Sequence, residues 1–145
     1  MTNLAKALEI ANEAHDGQTD KVGEPYIEHL RRVAEAVDSL DEKIVAYLHD
    51  VVEKGEGWNR DWLECAGFSP SILAAVDALT HHKGEDDAAF VRRAAANPLA
   101  RAVKRADLED NRRQAAAAGK STSKYDDGLE ILRTEFGVPS PALAA

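Results

Sequence analysis

Apolar positions recur with the helical period along most of this chain. Leu4, Leu8, Ala11 and Ala14, with Ile10 beside them, form a first stripe that ends at the turn signal Asp16-Gly17. Gly23-Glu24-Pro25 opens a second helix whose stripe is Ile27, Leu30, Ala34 and Val37. A third helix is predicted from 44 to about 53, with Asp41 as N-cap and acidic residues in its first turn. Ile44, Val45, Tyr47, Leu48, Val51 and Val52 leave it apolar on nearly every side except at His49 and Asp50, as in a helix central to a core.

Beyond the break at Gly55-Glu56-Gly57, Asn59 caps a short helix that carries Trp62 and Leu63 and ends by Gly67. Ser69-Pro70 is an N-cap and first-turn pair for a helix over 71–80, with Ile72, Leu73, Val76 and Leu79 inward. His81-His82-Lys83-Gly84 reads as a loop, 86–96 as a helix bearing Phe90 and Val91, and Asn97-Pro98 as the start of a long helix through Asp107 and Asn111. The alanine-rich stretch 115–122 is a linker or a helical end. A last helix covers 123–136 with Tyr125, Leu129 and Leu132, and 139–145 is expected to fray. No run alternates long enough for a strand, and no internal repeat is present. The expected fold is all-α: a compact single-domain helical bundle over 4–136 with a C-terminal tail over 137–145.

Composition narrows the chemistry. The 145 residues are 44% hydrophobic but only 6% aromatic, so the core has to be built from aliphatic and alanine side chains. Eighteen Lys+Arg against 26 Asp+Glu give a net charge of -8, which argues against a nucleic-acid binder but leaves room for a small anionic substrate. Within that acidic total, 101–113 is locally basic, with five cations against three acids. The single cysteine, Cys65, permits no internal disulfide and no CxxC pair; it reads as a small buried filler, and the expected setting is reducing and cytoplasmic. The N-terminus lacks a signal-peptide pattern, and no apolar run approaches the roughly 18 residues of a membrane span, so no membrane partner is expected.

Ionisable groups inside apolar segments are the candidate chemistry. An unpaired Asp50 in a Val/Leu/Tyr run is costly to bury, so it needs a cation or a set of hydrogen bonds. His49 adjoins it, and Glu53 lies four residues beyond His49 on the same helical face. His29 in the second helix offers another imidazole, and Asp107 and Asn111 share a face of the long helix. Read singly, His29 fits an exposed histidine and His49-Asp50 a self-satisfied core pair. Together, imidazoles and carboxylates from three helices make a mixed nitrogen and oxygen site suited to Mn²⁺, Fe²⁺ or Zn²⁺.

The text around these residues resembles a known family. His49-Asp50 within Tyr47-Leu48-His49-Asp50-Val51-Val52-Glu53 resembles the doublet of HD-domain metal-dependent phosphohydrolases. Ala14-His15-Asp16-Gly17-Gln18, then Lys21 and Gly23-Glu24-Pro25-Tyr26-Ile27-Glu28-His29, resembles the opening of (p)ppGpp hydrolase domains of the RelA/SpoT type and their small stand-alone relatives. Val103-Lys104-Arg105-Ala106-Asp107-Leu108-Glu109-Asp110-Asn111 resembles their downstream metal and substrate helix. The resemblance implies an HD-type phosphohydrolase domain over 4–136. It implies one divalent metal, usually Mn²⁺, held by His29, His49, Asp50 and Asp107. Glu53 and Asp50 are the implied catalytic residues, Glu53 orienting or activating the attacking water.

Asn111 matches a substrate contact, and Lys21, Lys54 and Lys104 are the candidate phosphate contacts, with Arg105 beside them. The implied reaction removes the 3′-pyrophosphate of a guanosine alarmone, so the expected partner is a small anionic nucleotide and not nucleic acid; homo-oligomerisation stays open. Two positions depart from the family. Glu53-Lys54 stands where Glu-Asp is usual, and Asp20-Lys21 where Arg-Lys is common. Lys54 cannot act as a second acid, and Asp20 cannot stack as a guanidinium does. They keep two other readings open: hydrolysis of another nucleotide or pyrophosphorylated metabolite, and a catalytically weak metal-retaining regulatory module. His15 is expected to be structural, His81-His82 to be a loop near the substrate mouth or solvated, and Arg92-Arg93 and Arg112-Arg113 to be solvated faces.

Overall fold

Short polar side chains set most of the helix starts. Thr2, Ser39, Asn59, Ser69, Asp86 and Asn97 each accept a hydrogen bond from an amide in the first turn of the helix that follows. The computed structural model describes residues 1–143. Their helices are α1 (Asn3–Ala14), α2 (Tyr26–Glu35), α3 (Leu40–Leu48), α4 (Val51–Lys54), α5 (Arg60–Cys65), α6 (Pro70–Ala78), α7 (Asp87–Ala96), α8 (Pro98–Ala117) and α9 (Ser123–Phe136). The fold is all-α; among the described residues the β-pairing is a lone antiparallel bridge between Thr19 and Pro25 in the α1–α2 loop.

The helix expected to run from 44 to about 53 is two helices. Ser39, not Asp41, caps α3, because Ser39 and Glu42 each bond the other's backbone amide in a capping box. At its other end the His49 ring donates from Nδ1 to the Ala46 carbonyl (2.6 Å), and Asp50 leaves helical geometry (φ -104°, ψ 0°) before α4 begins. The chain is thus bent where its two most polar core residues sit.

Helix α3 is central and packs on α1, α2, α6 and α8. Ile44, Val45, Ala46 and Leu48 are its buried part of the main core, joined by Val33, Ile72, Val76 and Val103. A second cluster of Val91, Ala95, Leu108, Leu129 and Leu132 lies between α7, α8 and α9. Gly128 allows that contact: a Cβ there would stand 3.0 Å from Leu108 Cδ1.

Three expectations are corrected. The inward face of α1 is Ala7, Ile10, Ala11 and Ala14, while Leu8 is exposed. Cys65 is exposed, because Leu63 is the residue by which α5 enters the core. The tail up to residue 143 is packed. Gly137 ends α9 in the left-handed region, and buried Ser140 donates its hydroxyl to Glu109 (2.7 Å). Ala142 and Leu143, in a final 3₁₀ turn, rest on the second cluster; 144–145 lie outside the described residues. The 115–122 stretch is the end of α8 followed by a turn at Gly119. No helix among the described residues is long and apolar enough to cross a membrane.

Gly55, at the end of α4, has a backbone any residue could adopt (φ -86°, ψ 122°), but an added Cβ would lie 2.5 Å from the Val51 carbonyl oxygen and 2.9 Å from Ala14 Cβ. We expect Gly55→Ala to destabilise the protein by about 3 kcal/mol in urea denaturation, since neither neighbour can yield without moving a helix. Gly57→Ala, with φ +79° and open space around it, should cost only about 1 kcal/mol. Equal losses would show that α1 and α4 do not make this close approach.

Candidate metal centre

Three elements converge on one point. Tyr26, His29 and Arg32 follow one another at helical spacing on α2. His49 and Asp50 occupy the α3–α4 bend, and Asp107, Asp110, Asn111 and Gln114 share one face of α8. His29 is 1% exposed and His49 2%, so the exposed-histidine reading of His29 is excluded. One candidate ligand atom from each of His29, His49, Asp50 and Asp107 lies within 4.8 Å of all the others. Asp107 Oδ1 is 3.0 Å from His29 Nε2 and 3.2 Å from His49 Nε2, and Asp50 Oδ2 is 3.1 Å from His49 Nε2.

Both imidazoles present Nε2 to the centre because Nδ1 is engaged behind it. His29 Nδ1 donates to Asp110 Oδ2 (2.6 Å), and His49 Nδ1 donates to the Ala46 carbonyl (2.6 Å). A proton fixed on Nδ1 leaves the Nε2 lone pair as the inward donor, the tautomer a divalent ion requires. The Asp50 carboxylate is held by the Tyr26 hydroxyl, which donates to Oδ2 (2.5 Å). Two imidazole nitrogens and two carboxylates, oriented from outside, fit a divalent ion.

The electrostatics agree with this fit. Burial alone would lower the His49 pKa, but the Asp50 charge and the Asp107 and Asp50 carboxylates raise it well above 6.5. Burial opposes ionisation of Asp50 and Asp107 too, yet the facing imidazoles hold both carboxyls low. Burial, the Asp50 charge and the bond to Asp50 raise the Tyr26 pKa far above its usual value, so its hydroxyl remains a donor. The negative potential that retains protons on the imidazoles would equally retain a cation in their place.

A cavity of about 280 Å³ opens over the cluster, with His49, Asp50 and Asp107 at its surface and His29 reaching the cluster from outside the lining. Glu53, Lys21, Lys54, Lys104 and Asn111, all singled out in the sequence, also line it. Burial and the Asp50 charge raise the Glu53 pKa. Lys21 Nζ donates to Asn111 Oδ1 (2.6 Å), and Lys54 Nζ donates to the Tyr26 hydroxyl (3.1 Å). Lys104 Nζ lies 3.7 Å from Asp107 Oδ2 and 4.0 Å over the Phe90 ring.

Other candidates fall away. Arg105 is turned aside, bonded to Glu109 (2.8 Å) and the Ala36 carbonyl (2.7 Å). Asp20 accepts the Val22 and Glu24 amides (3.0 Å each) on Oδ1 and pairs with Arg32 through Oδ2 (3.2 Å), so it shapes its own turn. His15 is buried and bonded to Gln18 (2.8 Å), the structural role expected of it. Arg92 and Arg112 pair with Glu135 and Asp126. Arg93 is not a solvated face but binds Glu85 and two backbone carbonyls.

Sequence reasoning missed the layer behind His29. Asp110 accepts from His29, from Arg32 Nε (2.8 Å) and from Gln114 Nε2 (2.7 Å), and these bonds hold its pKa low against the effect of burial. Gln114 Oε1 in turn accepts the Lys21 amide (3.1 Å). The available signal was spacing: Asp110 and Gln114 stand three and seven residues after Asp107, on the same helical face.

Comparison with known proteins agrees with the geometry. A family model described as HD domain matches residues 7–121, and the chain belongs to that family. Over 81 residues, 53% of its length, it is 37% identical to the guanosine-3′,5′-bis(diphosphate) 3′-pyrophosphohydrolase of Vibrio cholerae serotype O1, of which it spans 11%. A solved structure described as a metazoan ortholog of SpoT that hydrolyses ppGpp and plays a role in starvation responses superposes with a TM-score of 0.73 at 20% identity. That match covers 96% of this chain and 98% of the other, and it shows a shared fold.

If Asp110 orients His29 as a metal donor, Asp110→Asn should weaken Mn²⁺ binding about tenfold or more, measured by titration calorimetry. An affinity within twofold of the parent would show that His29 needs no such support.

Proposed function

We propose that this HD-domain chain is a metal-dependent phosphohydrolase that removes pyrophosphate from the 3′ position of (p)ppGpp, acting in the cytoplasm with Mn²⁺ held by His29, His49, Asp50 and Asp107. The observation that carries the reading is the four-ligand cluster beneath a cavity bearing Glu53 and the lysines Lys21, Lys54, Lys104 and Lys124. The V. cholerae relative, named for this reaction, supports the choice of substrate.

A divalent ion supplies Lewis acidity toward water and phosphate oxygens. The protein supplies the remainder. Glu53, with its raised pKa and its place on the cavity wall, takes the proton of the attacking water. Asp50 is kept ionised and oriented by Tyr26 and His49. Lys21 and Lys104 draw the phosphates in, and Asn111, fixed by its bonds to Asp107 and Lys21, faces the ribose and phosphate region. Water adds to the phosphorus attached to the 3′ oxygen, the bond between them breaks, and the departing 3′ oxygen takes up a proton, giving pyrophosphate and guanosine 5′-diphosphate or 5′-triphosphate.

A second reading keeps this chemistry with another nucleotide or pyrophosphorylated metabolite. It is favoured by Asp20, whose carboxylate is occupied by its own turn and Arg32 and so cannot hold a base from that position.

With Mn²⁺ present, the protein should convert ppGpp to GDP and pyrophosphate, and Asp50→Ala should lower the rate by about a thousandfold or more. Turnover of other phosphate compounds but not (p)ppGpp would select the second reading; bound metal with no turnover across a nucleotide panel would leave a regulatory module. Lys54→Asp, which places a second acid beside Glu53, should raise alarmone hydrolysis roughly tenfold. An unchanged or lower rate would sink that idea.

A further inference from the structure

The loop between α6 and α7 is tied down more firmly than its length requires. The Arg93 guanidinium grips both Glu85 carboxylate oxygens (2.8 and 2.9 Å) and the carbonyls of Asp77 (3.0 Å) and Thr80 (2.7 Å). Glu85 also accepts the His82 amide on its side chain (3.2 Å) and donates its own amide to the His82 carbonyl (3.0 Å). What this fixes in place is His81, which lines the cavity over the metal cluster.

The His81 ring is oriented from two sides. Nε2 donates to the Glu85 carbonyl (2.7 Å), and the ring meets Phe90 edge-on, with centroids 5.0 Å apart. The proton is therefore on Nε2, and Nδ1 has no partner among the described residues and is not among the sealed polar atoms. Phe90 also carries Lys104 over its face, so His81 and Lys104 are placed by one aromatic ring. Across the cavity stands Glu53, near enough that positive charge on His81 lowers its pKa.

We propose that His81 contacts the substrate, donating from Nδ1 to a phosphate oxygen while Nε2 stays on the Glu85 carbonyl. The inference rests on the phosphohydrolase reading above. Both nitrogens donate only in the imidazolium form. The bond from Nδ1 to a phosphate oxygen is then a charge-assisted one. His82, the exposed neighbour, takes no part.

The two nitrogens can be tested separately, because an Asn amide reaches the position of Nδ1 and a Gln amide that of Nε2. Binding of inorganic pyrophosphate to the Mn²⁺-loaded protein is measured by calorimetry, alongside kcat/KM for ppGpp. Both should fall about ten- to a hundredfold in His81→Ala and His81→Gln. His81→Asn should recover to within about fivefold, and His82→Ala should match the parent. Recovery by Gln and not by Asn would overturn the proposal, because His81 would then serve only to hold its loop. So would parent-like pyrophosphate affinity in His81→Ala, or no pyrophosphate binding by the parent. His81-dependent pyrophosphate binding without ppGpp turnover would support His81 and overturn the alarmone reading instead.

Discussion

Two carboxylates and two imidazoles meet where α2, α8 and the α3–α4 bend converge, and none of them could be buried there alone. Removing one partner from a buried charged group typically costs about 3–5 kcal/mol, a large share of a domain's net stability. Asp107 compensates His29 and His49 at once, and Asp50 compensates His49 while accepting from Tyr26. Satisfying these groups fixes the relative positions of three elements far apart in sequence. The aliphatic core around α3 supplies the burial energy, but it is indifferent to register. The ionisable cluster specifies the register.

That constraint extends outward through α8. Asp110 receives His29 on one side and Arg32 on the other, and Gln114 joins Asp110 to the backbone of Lys21. Arg32 also reaches Asp20, whose carboxylate holds the turn at 20–24. The loop that presents Lys21 to the cavity and the helix that presents His29 to the cluster are therefore parts of one hydrogen-bonded body. Asp20 therefore braces its own turn, with both carboxylate oxygens engaged.

The helices were legible because their signals are local. Ser69-Pro70, Asn59 and Asn97-Pro98 cap through amides two or three residues away, and the structure has those caps. Where the reading slipped, a second local signal competed with the first: Ser39 outcompeted Asp41 by closing a capping box with Glu42. The bend at Asp50 was not legible, because the His49 bond to Ala46 that accompanies it depends on His49 being turned toward Asp107. His49 and Asp50 stood out as polar groups in an apolar run, while the full set with His29 and Asp107 was what the family resemblance implied. Asp110, Gln114 and Arg32 did not stand out, since they sit among charges in the sequence and become buried or bridged only when α2 meets α8.

Charge was the least local property and the most easily misread from sequence. The stretch at 101–113 is locally basic, but Arg101, Arg105, Arg112 and Arg113 are all bonded within the protein, and only Lys104 among its cations lines the cavity. The cavity instead gathers lysines from four elements: Lys21, Lys54, Lys104 and Lys124. They face four acids, Asp50, Glu53, Asp87 and Asp107. With the imidazoles neutral, that lining is balanced, and a divalent ion at the cluster would leave it positive inside a chain of net charge -8. Electrostatic preference for a polyanion is then confined to the one place where a cation can be held.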